Sequence, residues 1–179
     1  MILKRRKGSR DSGSYIFGLV SLYIELSTRY NIQFANKSAI SIKESTGSFS
    51  EVLCDIRAIL DTDNDVSYNM KKDRYGYVWI VLDGEMESSV AVIHTLTDIL
   101  EEQGFSQQIL ASVFLFTYRG KNVYLVYNHK SKRFYPFAPL SDRSRDHELE
   151  MLVYSITKNR VDVEKDTGRW YPIWDIPML

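Results

Sequence analysis

There is one cysteine in this chain, Cys54, so neither an intramolecular disulfide nor a multi-cysteine zinc site can form. That fits a reducing compartment, and a cytoplasmic location is the expectation. A surplus of one charge is missing too, since 23 Lys and Arg balance 23 Asp and Glu. Nucleic-acid-binding domains usually carry a basic face, and a neutral total lends that function no support. Long apolar runs are also lacking. The best candidate, Ile16 to Leu26, is interrupted by Gly18, Ser21 and Glu25 and falls short of the ~20 residues needed to span a bilayer. With Lys4, Arg5, Arg6, Lys7 and Arg10 before it, this stretch has the outline of a secretion signal, but no small-residue cleavage site follows it. There is no glycine-rich phosphate cradle: Gly120-Lys121 lacks the preceding glycine of a P-loop and leads into a strand. The three histidines, His94, His129 and His147, do not have the helical pair spacing of a zinc hydrolase. No serine occupies a nucleophile elbow.

What is present describes a globular domain. The length of 179 residues, 44% hydrophobic and 26% charged, suits one domain that buries most of its apolar surface without staples. Twelve Tyr, eight Phe and three Trp fall mostly in strand-like runs, which favours a sheet with packed aromatic faces. Residues 1–14 are polar and basic and read as a mobile lead-in; residues 15–179 read as the domain, ending in an aromatic tail over 168–179.

Periodicity gives the order of elements. Ile16, Leu19, Val20 and Tyr23 keep helical spacing, although Leu22-Ile24-Leu26 also alternates like a strand. Ala39 to Ile42 reads as a short strand. Ser48-Phe49-Ser50-Glu51 has the form of a capping box and opens a helix whose stripe is Phe49, Val52, Leu53, Ile56 and Leu60. Val66, Tyr68 and Met70 alternate, and an apolar run from Tyr75 to Leu82 reads as a central strand. After the turn Asp83-Gly84, a helix over Glu87 to Gln103 carries Val92, Ile93, Leu96, Ile99 and Leu100, with Gly104 at its left-handed C′ position and Phe105 behind it. Leu110 to Tyr118 and Val123 to Asn128 form a hairpin around Arg119–Asn122, and Arg133 to Phe137 a further strand. A last helix spans Asp142 to Lys158, with Leu149, Leu152, Val153 and Ile156 facing inward. The class is α+β: a single domain with a mainly antiparallel or mixed sheet of about five to six strands covered by three to four helices.

Several segments imitate functional sites. Asp61-Thr62-Asp63-Asn64-Asp65 begins like a calcium loop, but Val66 stands where glycine is needed and Lys72 where glutamate should close the site. An acidic turn is the simpler reading. Cys54, on a helix near the core edge, reads as a small buried thiol rather than a nucleophile. Arg74-Tyr75-Gly76-Tyr77-Val78-Trp79-Ile80 is similar to the central strand of RNA-recognition domains, where rings on a sheet face stack on bases. The element order is not theirs, and a packed strand explains the same residues. Two of the three Trp lie in the tail, which either straps across the domain or recognises a partner; the strap is the favoured reading.

Three blocks taken together carry a resemblance. Asp73-Arg74-Tyr75-Gly76-Tyr77-Val78-Trp79, Phe134-Tyr135-Pro136-Phe137-Ala138-Pro139 and Gly168-Arg169-Trp170-Tyr171-Pro172-Ile173-Trp174 resemble PspAB, the PspA-associated proteins of archaea and actinobacteria. The resemblance covers residues 16–179. It implies a cytoplasmic protein whose genes tend to lie beside those for a PspA-like membrane-stress protein and a membrane metalloprotease. It implies no catalytic residues, and with no cofactor motif in the chain no cofactor is expected. The motif residues Tyr75, Tyr77, Trp79, Phe134, Tyr135, Pro136, Arg169, Trp170 and Trp174 become candidate partner contacts.

The leading expectation is therefore a non-catalytic binding or adaptor protein in PspA-linked membrane stress, with a PspA-like protein as partner and weak anionic-membrane contact through Lys4, Arg5, Arg6 and Lys7. The alternative is an enzyme whose site is assembled from dispersed polar residues, and the second alternative is a nucleic-acid-binding module.

Overall fold

The computed structural model describes residues 14–178; the basic segment Lys4 to Lys7 lies outside them. The elements run α1 (Ser14–Tyr30), β1 (Gln33–Lys43), α2 (Phe49–Leu60), β2 (Val66–Lys72), β3 (Tyr77–Gly84), α3 (Met86–Glu102), β4 (Ile109–Tyr118), β5 (Lys121–Asn128), β6 (Arg133–Phe137) and α4 (His147–Thr157). The strands form one six-stranded sheet in the order β2-β3-β1-β4-β5-β6, and every neighbouring pair is antiparallel. The expected α+β class is thus observed.

Alternation along the strands divides the core in two. Ile40, Ile42, Ile80, Leu82, Phe114, Phe116 and Leu125 face the side covered by α1, α2 and α3, and Leu149 and Val153 of α4 join the same cluster beside β6. Ala39, Trp79, Val81, Val113, Tyr124, Tyr135 and Phe137 face the other side, together with Trp170, Ile176 and Met178 of the tail. A strand buried on both faces needs apolar residues at nearly every position, and the central β4 has them from Ala111 to Phe116 except at the buried Ser112. Helix α1 settles the ambiguity of Leu22-Ile24-Leu26: Leu22 and Leu26 are buried one turn apart, while Ile24 is exposed.

Several boundaries differ from expectation for identifiable reasons. Strand β1 begins at Gln33, not near Ala39, because a register shift between Phe34 and Ser38 and the positive φ of Asn36 interrupt the alternation that would reveal it. Strand β3 starts at Tyr77, leaving Tyr75 and Gly76 in the turn, and it runs through the expected turn Asp83-Gly84. The α2 capping box does not form. Ser48 sits at φ −73°, ψ 5°, outside the extended region a capping hydroxyl needs, and its side chain makes no cap bond. Cys54 is exposed on α2, not buried. Helix α4 begins at His147, not Asp142, because Asp142 instead accepts bonds from the Ser144 backbone and hydroxyl, and Asp146 caps the Leu149 N–H. The β4–β5 turn needs only Arg119 and Gly120, both at positive φ, the left-handed pair of a tight hairpin. At the end of α3, Gly104 at φ +84° lets the Phe105 N–H reach the Leu100 carbonyl at 2.7 Å, and the buried Phe105 ring packs on Phe49.

Candidate functional site

The tail-covered face of the sheet contains the site. After α4 the chain crosses β6 and returns over the sheet as an extended strap. Its anchor is Trp170, 4% exposed, whose indole N–H donates to the Glu164 carbonyl at 2.9 Å and whose ring packs against Tyr154. Arg145 ties the strap to the domain. Its Nη1 donates to the Trp170 carbonyl, its Nε pairs with the fully buried Glu150 at 2.8 Å, and its guanidinium lies over the Phe137 ring. The same Glu150 oxygen accepts the Ala138 N–H, so this buried charge is both paired and hydrogen-bonded. Further along, Asp175 bridges Arg74 at 3.1 Å and Arg143 at 2.8 Å, and Trp174 meets Phe137 edge-on.

Between strap and sheet lies an open cavity of about 1070 Å³. It occupies one end of the sheet, where β1 finishes, β3 and β4 begin, and the β5–β6 turn projects. The β2–β3 turn forms one wall, held by Asp73. Oδ1 of Asp73 accepts the Tyr75 and Tyr77 N–H groups at 2.8 and 3.0 Å, and Oδ2 accepts the Trp79 indole N–H at 2.9 Å. Partial burial works against the charge on Asp73, but the Trp79 indole and the Tyr77, Tyr75 and Gly76 amides outweigh it and hold its pKa below the usual range. A carboxylate saturated in this way is a positioning group, which holds the backbone of the turn through Tyr77 and the indole of Trp79.

Much of the remaining lining is aromatic and basic, with Ser41, Asn128, His129 and the acidic Glu101 among it. Tyr75, Tyr77, Trp79, Tyr135, Tyr171 and Trp174 supply rings, while Lys43, Lys130 and Lys132 stand at the rim. Burial pushes the Tyr135 hydroxyl well above the ordinary phenol pKa; nearby Arg145 opposes this and Tyr171 reinforces it. Tyr135 is therefore a neutral donor at physiological pH.

Of the nine motif residues, Tyr75, Tyr77, Trp79, Tyr135 and Trp174 thus converge on this cavity. The other four do not. Phe134 packs on the helix-covered face and Pro136 is buried in β6. Trp170 is buried as the strap's anchor, and Arg169 is exposed beside Asp166 at 3.4 Å. Reading the sequence missed Ser41, Lys43, Lys130, Lys132 and Tyr171 as lining residues. Tyr171 lay inside a motif block, but the others carry no local signal.

The other imitations take structural positions. Asp63 accepts the Asp65 and Val66 N–H groups, and Asp61 accepts the Tyr68 hydroxyl, so two of the loop's carboxylates organise the turn. No group of three or more metal-ligating side chains gathers among the described residues. His94 stands 3.2 Å from Asp98 on α3. Nε2 of His129 lies 2.8 Å from the Ser112 hydroxyl, a distance that suits a base and its nucleophile. Ser112 is 0% exposed, however, and no substrate can reach it. Burial, with a smaller push from Lys132, lowers the His129 pKa to about 3, so the imidazole is neutral and its bond to Ser112 belongs to the core.

Fold and site together define a small α+β domain with a ring-lined cavity roofed by its own C-terminal segment. The profile of the PspAB family, described as PspA associated protein B, matches residues 1–178, and the chain belongs to that family. Searches of curated proteins and of solved structures returned no match. Among the described residues, no helix is long and apolar enough to cross a membrane.

Proposed function

We propose that this chain is a non-catalytic binding protein that works with a PspA-like partner in a membrane-stress response. The observation that carries the reading is membership of a family named for its association with PspA, across 1–178. The cavity supports binding over chemistry, because the carboxylate at its wall is saturated by three donors and its rings and lysines are recognition groups. Of the motif residues outside the cavity, Arg169 is the exposed one, so partner contact is assigned to it and to the adjoining outer surface of the strap. Membrane attraction is secondary: the cluster Lys4-Arg5-Arg6-Lys7 adds about 1 kcal/mol per charge near an anionic bilayer, and salt screens it. The test is co-purification of the full chain with a PspA-like protein from the same genome, alongside vesicle co-sedimentation at low and physiological salt. A complex that Arg169→Glu weakens, with only salt-sensitive vesicle binding, is expected. Tight, salt-resistant vesicle binding with no complex would overturn the reading.

A further inference from the structure

We propose that the cavity under the strap binds a nucleoside phosphate, its flat ring held among the aromatic side chains and its phosphate at the lysine end. This inference stands apart from the partner reading and concerns a different surface.

Four observations carry it. The volume of about 1070 Å³ accommodates a mononucleotide. Tyr75 of the β2–β3 turn and Tyr171 of the strap both line the cavity and are 67% and 57% exposed, large rings left in water. The Tyr75 ring is also held in place, since Arg74 lies 4.9 Å over it and is itself tied to Asp175 of the strap. An aromatic heterocycle gains from stacking on such rings whatever its base identity.

The charge at the rim points to an anion. Lys43 ends β1, and Lys130 and Lys132 lie in the β5–β6 turn, yet the sheet order brings all three to one cavity. None of them pairs with a carboxylate among the described residues. Asp73 and Glu101 are the acidic groups of the lining, and Asp73 is already engaged by three donors. Neighbouring ammonium groups repel one another, and a phosphate at that end removes the repulsion.

The floor supplies a waiting polar group. Ser41 is 2% exposed and its hydroxyl has no partner among the described residues. Buried hydroxyls are nearly always satisfied, and a ribose or base edge seated over β1 would satisfy this one. The geometry favours a small ligand over an extended peptide, because the cavity opens on a sheet face and the β6 edge beside it is already bonded to residues 162–164. A lipid headgroup shares the phosphate but has no ring to use the aromatic walls.

The test uses the full chain and the fluorescence of Trp79 and Trp174. Nucleoside monophosphates of the four common bases are titrated alongside adenosine, inorganic phosphate and phosphatidylglycerol vesicles. The expected result is saturable binding of at least one nucleotide, roughly tenfold or more tighter than adenosine or phosphate alone. Lys130→Glu with Lys132→Glu should weaken the nucleotide by about tenfold while leaving adenosine unchanged. Tyr75→Ala should weaken both. Ser41→Ala should reduce nucleotide affinity without lowering the melting temperature, an outcome a packing role for the hydroxyl does not produce. No nucleotide binding up to millimolar concentration, binding insensitive to all of these variants, or binding of vesicles without nucleotide would overturn the proposal.

Discussion

The two faces of the sheet are closed by different means. On one, the four helices contribute periodic apolar stripes to one cluster with Ile40, Ile80, Phe114 and Leu125, and the core is continuous. On the other, one irregular segment does the covering, holding the sheet through Trp170, Ile176 and Met178 and leaving a cavity at one end. A helix covers a sheet with a broad ridge of side chains every turn, whereas an extended strap touches it at intervals. The gaps between touches are where rings such as Tyr75 and Tyr171 remain exposed. The contrast teaches that both faces are anchored by buried side chains, and that only the strapped face leaves a cavity, the surface that the proposals above use for recognition.

The strongest way to break this contrast is to remove the anchor. Trp170→Ala should cost about 3–5 kcal/mol in urea unfolding, comparable to Phe114→Ala on the helical face. A loss below about 0.5 kcal/mol would mean the strap is loosely held. Arg145→Ala comes next, at about 3 kcal/mol, because Glu150 would keep its buried charge without its cation. A chemical denaturation midpoint equal to that of the unchanged protein would show that Glu150 finds another partner.

Acid should weaken the end of the sheet that holds His129, which also lines the cavity. The folded His129 pKa lies near 3, against 6.5 for a free imidazole, so between those values the unfolded chain takes up a proton that the folded chain does not. Stability therefore falls as pH falls through that window, by about 2 kcal/mol between pH 7 and pH 5. Urea midpoints at the two pH values check this, and His129→Asn should flatten this part of the slope. The smallest effect sharpens a local point: Ser48→Ala should stay within about 0.5 kcal/mol in thermal melting, because the hydroxyl makes no cap bond.

The capping box shows how a local pattern misleads. Ser48-Phe49-Ser50-Glu51 meets every compositional requirement, yet Ser48, following Gly47 at positive φ, stands outside the extended backbone region and its hydroxyl makes no cap bond. Cys54 shows a different limit: its place on α2 was legible, but a neighbouring stripe residue and an exposed one differ by a rotation that composition does not record. Helix α3 and the β4–β5 hairpin were readable because their signals are strong and local, a long apolar stripe ending at Gly104 and a two-residue left-handed turn.

By itself, the sequence determined the α+β class, the order of all ten main elements and five of the rings that line the cavity. These follow from periodicity and side-chain type, which act over a few residues. Only the tertiary structure decided that Ser41, Lys43, Lys130 and Lys132 share one cavity with Tyr171, and that Phe134 and Tyr135, adjacent in sequence, face opposite sides of the sheet. The order β2-β3-β1-β4-β5-β6 places β1 at the centre between strands distant from it in the chain. That choice is made by long-range packing, through the burial of both sheet faces at once, and no short window of residues contains it.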